Sequence, residues 1–262
     1  MTAQPGIAPA AQPTAGTMFA ALYGNFVPHN WHDPEHDAYS LFYHRSLAMG
    51  WLADGEAPGL WAMNDAGWDH PLAANAELAS WFQVEASAVP SDRPLPVQPF
   101  LRCAHDATSR AGTLDLSAVQ VLLPLRGLAA TTRPAYAAVP SMRTIPWFTS
   151  RDPRSATPVD VRADSGQDSS ILAVTDELAN RLGHLDQDVF VGTSHHTTSR
   201  SDVLLPPFDD SFWNGPPLNG VVLRGQLAEW SCDAIGWLAE VVAESVAQLG
   251  VRSPLLFTVT RT

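Results

Sequence analysis

Apolar positions in the C-terminal half repeat with two distinct periods. Leu255, Phe257 and Val259 alternate with Leu256, Thr258 and Thr260, the period of two that a strand imposes. They predict a strand over Leu255–Arg261, opened by Pro254. Just before it, Ile235, Leu238, Val242 and Leu249 recur at helical spacing, widened by Trp237, Val241 and Val246. These predict a helix over Cys232–Leu249, capped by Ser231 and stopped by Gly250. Val221–Trp230 reads as the strand that leads into it. The same order occurs upstream on a smaller scale: a strand at Val159–Ala163, a helix at Thr175–Leu182 and a strand at Val189–Thr193.

Two strand–helix–strand units place the chain in the α+β class, with a mixed or antiparallel sheet carrying helices on one face. Ferredoxin-like units in the C-terminal half are one arrangement that satisfies this order.

The N-terminal half is less regular. Asp33, Pro34 and the apolar positions Leu41, Phe42, Ala48, Trp51 and Leu52 predict a helix over Pro34–Ala53 with Gly55 as its stop. A second helix is expected over Pro71–Phe82. A proline-dense stretch, Pro90–Pro99, follows, and then strands at Phe100–Ala104 and Ala118–Leu125. Residues 127–157 read as irregular. Residues 1–17, rich in Ala, Pro, Gln, Gly and Thr, read as a loose tail without the basic and apolar regions of a signal peptide. The remainder, 18–262, is expected to be one domain, with a helical, Trp-rich region at 18–89 and a sheet-forming region at 99–262.

Composition mainly excludes chemistry. All 15 basic residues are arginine. Without lysine there is no internal Schiff base, no GxxxxGK[ST] phosphate loop and no kinase-type lysine. Two cysteines cannot supply a four-cysteine metal centre within one chain. No cofactor is expected. The arginine-only, Ala/Pro-rich composition suggests a GC-rich bacterial genome, and no apolar run is long enough to span a bilayer. The expectation is therefore a soluble, cytoplasmic protein. A net charge of −12 argues against nucleic acid and anionic membranes as partners. Arg126, Arg133, Arg143, Arg151 and Arg154 form a basic segment offset by one acid, Asp152. That segment is suited to an anionic ligand or to the chain's own carboxylates.

Candidate chemistry gathers in three places. His29, His32, His36 and Asp37 lie close in sequence, with His44 further along. Imidazole beside carboxylate suits proton transfer near neutral pH or a divalent metal, but the histidine spacing matches no metal motif, so no metal ligand is assigned. Trp31, Trp51, Trp61, Trp68 and Trp81 fall within 51 residues. Indoles can wall a pocket for a planar ligand, and Glu85 beside Trp81 and Phe82 could then donate a proton. Pro206–Pro217 reads as a stiff loop able to close a pocket or cover a neighbour.

The expectation for function is a small-molecule acid–base enzyme acting on a planar aromatic substrate by cyclisation, condensation or isomerisation. His36, His44 and Glu85 are the candidate catalytic residues, and Trp51, Trp61, Trp81 and Arg143 the candidate substrate contacts. The alternatives are a non-catalytic accessory subunit or homo-oligomeric assembly protein, and a metal-dependent hydrolase built on the histidine cluster. His195-His196 in a polar run and Cys232 in the first turn of a helix are lesser candidates.

Overall fold

The structure, a computed structural model, describes residues 14–33, 37–53, 58–70, 72, 77–90, 93–128, 146–150, 152, 154–185, 188–198 and 204–262. Its frame is an eight-stranded antiparallel sheet. In chain order the elements are β1 (Thr14–Pro28), α1 (Ala38–Ala48), β2 (Trp61–Gly67), β3 (Leu78–Ser87), α2 (Val97–Ala111) and β4 (Gly112–Leu123). They continue with α3 (Pro146–Ser150), β5 (Thr157–Asp164), α4 (Ser170–Ala173), α5 (Thr175–Gly183), β6 (Phe190–Thr198), β7 (Gly220–Leu227), α6 (Cys232–Gln248) and β8 (Leu255–Arg261).

The strand order β2-β3-β1-β4-β8-β5-β7-β6 divides the sheet into two halves of the same design. Each half runs β-α-β-β-α-β, the ferredoxin-like order, with its first and third strands inside and its second and fourth at the edges. The two fourth strands, β4 and β8, pair antiparallel from Ala118↔Thr260 to Leu123↔Leu255 and weld the halves into one sheet. The expected arrangement of the C-terminal half thus holds for the N-terminal half as well.

Alternation along the strands separates the two faces. Met18, Ala20 and Leu22 of β1, Phe82 and Val84 of β3, Val119 and Val121 of β4, and Phe257 and Val259 of β8 pack against the helices. On the other face Phe19, Ala21 and Tyr23 join Trp81, Leu122 and Leu256, and Phe208 from the 204–219 segment packs over them.

Helices α2 and α6 cross above the β4–β8 seam, with α1 flanking α2 and α5 flanking α6. Their crossing is close because residue 236 is glycine: a Cβ there would stand 2.5 Å from the Gln98 Cα. The crossing also satisfies a helix end. Proline at position 96 offers no side-chain cap to α2, leaving its first N–H groups to find acceptors elsewhere. The carboxyl group of Glu240 on α6 supplies one, its oxygen accepting from the Gln98 N–H at 2.8 Å. Nearer the start of α6, Asp233 accepts from Gln98 Nε2 at 2.5 Å and from Arg102 Nη2 at 3.0 Å.

Several sequence expectations need correction. Residues 14–17, expected in the tail, open β1, a 15-residue strand. The region 18–89, expected to be helical, holds β1, β2 and β3 as well as α1. Helix α1 starts later than expected: Asp37, not Asp33, is its N-cap, accepting from the Ser40 N–H at 2.7 Å. It stops at Gly50, φ +68°, before the expected stop. Of the helix expected over Pro71–Phe82, the end from Leu78 on is strand β3, while residues 71 and 73–76 lie outside the described residues; the expected strand Phe100–Ala104 lies within α2. By contrast, β8 has the expected bounds and α6 differs from expectation by one residue.

Burial of Glu240 makes stability pH-dependent. Loss of water pushes its carboxyl from an ordinary 4.5 up to about 8, opposed by the Gln98 and Val97 N–H groups. Between those values the folded state holds a proton that the unfolded chain releases, so this group's contribution to stability falls as pH rises from about 4.5 to about 8. The slope is at most about 1.4 kcal/mol per pH unit. Urea titrations at pH 5, 6, 7 and 8 should show that decline in the wild type and a flatter profile in Glu240→Gln. An identical slope in both proteins would contradict the assignment.

Candidate small-molecule site

The tryptophans do not enclose a common space. Trp61 is fully buried on the helix side, ringed by Phe42, Phe100 and Trp51, with its indole N–H donating to Ser46 Oγ at 3.2 Å. Trp81 lies on the opposite face, stacked on Phe19 at 5.5 Å, and donates to the Asp69 carbonyl at 2.8 Å. The sheet stands between them. Trp68 stacks on Phe26, and Trp31 is 62% exposed. A pocket walled jointly by Trp51, Trp61 and Trp81 is therefore not what the chain builds.

The other candidates are dispersed too. His44 is exposed on α1, edge-on to Tyr43, while Phe42 and Ser46 take the buried side of that helix. Glu85 lies on the far face of the sheet, so His44 and Glu85 do not meet. His36 and Arg143 lie outside the described residues, as do Arg133 and Arg151. His29 stacks on Trp31 and His32 meets the edge of Trp68. Among the described residues no three His, Cys, Asp or Glu side chains converge as a metal site would require. Neither thiol is activated: burial pushes Cys103 up to about 12 and raises Cys232 further. The helix-end effect expected for Cys232 is outweighed by its loss of water. His195 and His196 are not in a loop but in β6, on opposite faces of an edge strand.

What the fold does bring together lies on the face opposite the helices, at the end of the seam. A cleft of about 370 Å³ opens between the start of β1, the end of β4, the start of β8 and the 212–214 turn. Thr17, Leu122, Arg126, Trp213, Asn214 and Ser253 are among its walls. Each arrives for a local reason. Thr17 follows the β1 alternation onto this face; Leu122 pairs with Phe19, the next β1 residue on that face; Arg126 comes just after Pro124 ends β4. The Pro-rich segment 206–217, expected to be stiff, is anchored through Phe208 on Phe19 at 4.8 Å. It is also held by the Gln167 N–H, which donates to the Asn214 carbonyl at 2.8 Å.

Polar partners behind these walls fix their orientation. Thr17 Oγ1 donates to Glu85 Oε2 at 2.8 Å across the β1–β3 ladder. The Ser253 hydroxyl donates to Asp168, and that bond is the main cause holding the Asp168 carboxyl below its ordinary range. Further along the same face Gln120 Nε2 donates to the Leu204 carbonyl at 2.8 Å and to Thr258 Oγ1 at 3.1 Å. Beyond Thr258, Arg162 Nη2 donates to the buried Asp164 at 2.8 Å. This face therefore carries a polar row, Gln120, Thr258, Arg162 and Asp164, beside one apolar cluster, and the cleft lies at the Leu122 end of β4.

The chain matches no known protein family, no curated protein and no solved structure. No helix among the described residues is long and apolar enough to cross a membrane.

Proposed function

We propose that the protein binds a small polar molecule in the seam cleft and performs acid–base chemistry on it through Glu85. The observation that carries this reading is the Thr17–Glu85 hydrogen bond at the wall of a cleft of about 370 Å³. That volume lies within the roughly 300–1,000 Å³ typical of small-molecule sites. With its hydrogen committed to Glu85, the Thr17 oxygen can only accept from a ligand. A proton taken from a ligand O–H or N–H at Thr17 is matched by passage of the threonine's own proton to Glu85, leaving the carboxyl neutral and the ligand anionic. Arg126, at the rim, balances that anion. Isomerisation and condensation need little more than such a base, a cation and a walled space. Of the residues expected from sequence, Glu85 keeps a catalytic role in this reading; Trp81 supports the wall through Phe19 and is not a substrate contact.

A screen of planar hydroxylated carboxylates by two-dimensional amide NMR tests the site. Shifts are expected at Thr17, Arg126 and Ser253. Arg126→Ala should weaken binding by about tenfold or more, the effect of one charge-assisted hydrogen bond at ~1.5–3 kcal/mol. Glu85→Gln should bind within about twofold of wild type yet convert nothing. Shifts confined to another surface, or an Arg126→Ala variant of unchanged affinity, would defeat the proposal.

A second reading, a protein that docks onto copies of itself, is favoured by Trp31. Its exposed ring is held between His29, stacked at 4.8 Å, and Arg110, whose guanidinium lies 5.3 Å from the ring centre. Fixed, exposed aromatics are frequent anchors of interfaces. Sedimentation velocity should then show a dimer that Trp31→Ala dissociates. A wild-type protein that stays monomeric at high concentration would remove this reading.

A further inference from the structure

The two halves differ in how completely their outer helix fills the space above the sheet. In the first half Trp61 pairs with Ala86 and Met63 with Val84. Phe190 pairs with Leu227 and Gly192 with Gly225 at the same two steps of the second half. Phe190 thus holds the place of Trp61, and a glycine pair holds the place of Met63 and Val84. The Phe190 ring covers Gly225, where a Cβ would come within 2.6 Å of it. Nothing takes up the room of the missing methionine: a Cβ on Gly192 would meet only the ring edge of Phe190, at 3.5 Å. The result is a pocket of about 140 Å³ between α5 and β6–β7, with Leu182, Phe190 and Leu223 as its apolar walls.

One imidazole completes the pocket. His195 is among its lining residues, and its Nε2 lies 3.0 Å from Asp176 Oδ1 on α5. A carboxylate only accepts, so the Nε2 atom carries the hydrogen, and in the neutral imidazole the Nδ1 atom is left as an acceptor. The pocket opens to solvent along β6, where Gly192, Thr193, Ser194 and His195 are exposed, and its volume is close to the about 150 Å³ of an apolar cavity that accepts a benzene ring. We infer that the α5–β6 pocket is a second ligand site, taking a single six-membered aromatic ring that bears a hydroxyl, with that hydroxyl donating to His195. It is independent of the seam cleft, which lies on the other face of the sheet, so either site can stand without the other.

Phenol and benzene are the probes that separate shape from hydrogen bonding. Phenol should shift the Phe190 and Leu223 signals of the full chain, with a dissociation constant on the order of 1 mM for so small a ligand. Benzene should bind there about five- to tenfold more weakly. His195→Ala should bring phenol down to the level of benzene. Gly192→Met, which restores the side chain that the first half carries, should abolish the binding of both. Shifts at other residues, phenol binding that survives Gly192→Met, or equal affinities for phenol and benzene would each overturn the assignment. Should Gly192→Met fail to fold, the His195→Ala comparison decides alone.

Discussion

The β4–β8 ladder is the constraint on which the rest depends. Each half would otherwise present its fourth strand as an open edge, with a row of unpaired N–H and C=O groups. Pairing the two edges satisfies those groups and places α2 and α6 side by side over the junction. The helices then fix each other: Gly236 lets the backbones approach, and Glu240 completes the N-terminus of α2 from 142 residues away in sequence. An ionisable group buried at such a crossing is costly. It is tolerated because the helix end it serves would also be costly if left without an acceptor.

The same seam creates the chemistry of the opposite face. Across it, Tyr23, Gln120 and Thr258 link strands β1, β4 and β8 through side-chain hydrogen bonds, while the rings of Phe19, Trp81 and Phe208 gather on the β1–β3 side. The 204–219 segment covers the middle of this face, and the uncovered end becomes the cleft. The cleft of the proposed function lies where the two halves meet and draws its walls from both.

How much of this was legible in the chain depends on where the partners of each segment lie. The last third was readable because its punctuation is local: Ser231 caps α6, Gly250 follows it, and Pro254 introduces β8. β1 was hidden because both of its faces are covered. Met18, Ala20 and Leu22 meet helices while Phe19, Ala21 and Tyr23 meet the 204–219 segment, so no polar–apolar alternation marks it as a strand. Helix α2 was masked by Pro96 and Pro99, which sit where helix starts tolerate proline. Its cap is supplied by Glu240, a distant residue that no local motif announces. The candidate site was legible only in part. The stiff 206–217 loop and Glu85 could be singled out, but Thr17, Arg126 and Ser253 converge only through long-range pairing. The clustered tryptophans misled because Trp61 on β2 pairs with Ala86, an odd number of residues along β3 from Trp81, which sends the two indoles to opposite faces.

Native-state hydrogen exchange at the seam tests the unity of the two halves most directly. If the welded sheet is the common foundation, the hydrogen-bonded amides of Val119–Leu123 and Leu255–Val259 exchange only by global unfolding and are among the slowest in the chain. Their apparent stability should then equal that measured by denaturant. Seam amides that exchange well before those of β1 and β5 would show two halves that open apart and fold separately, contradicting the account.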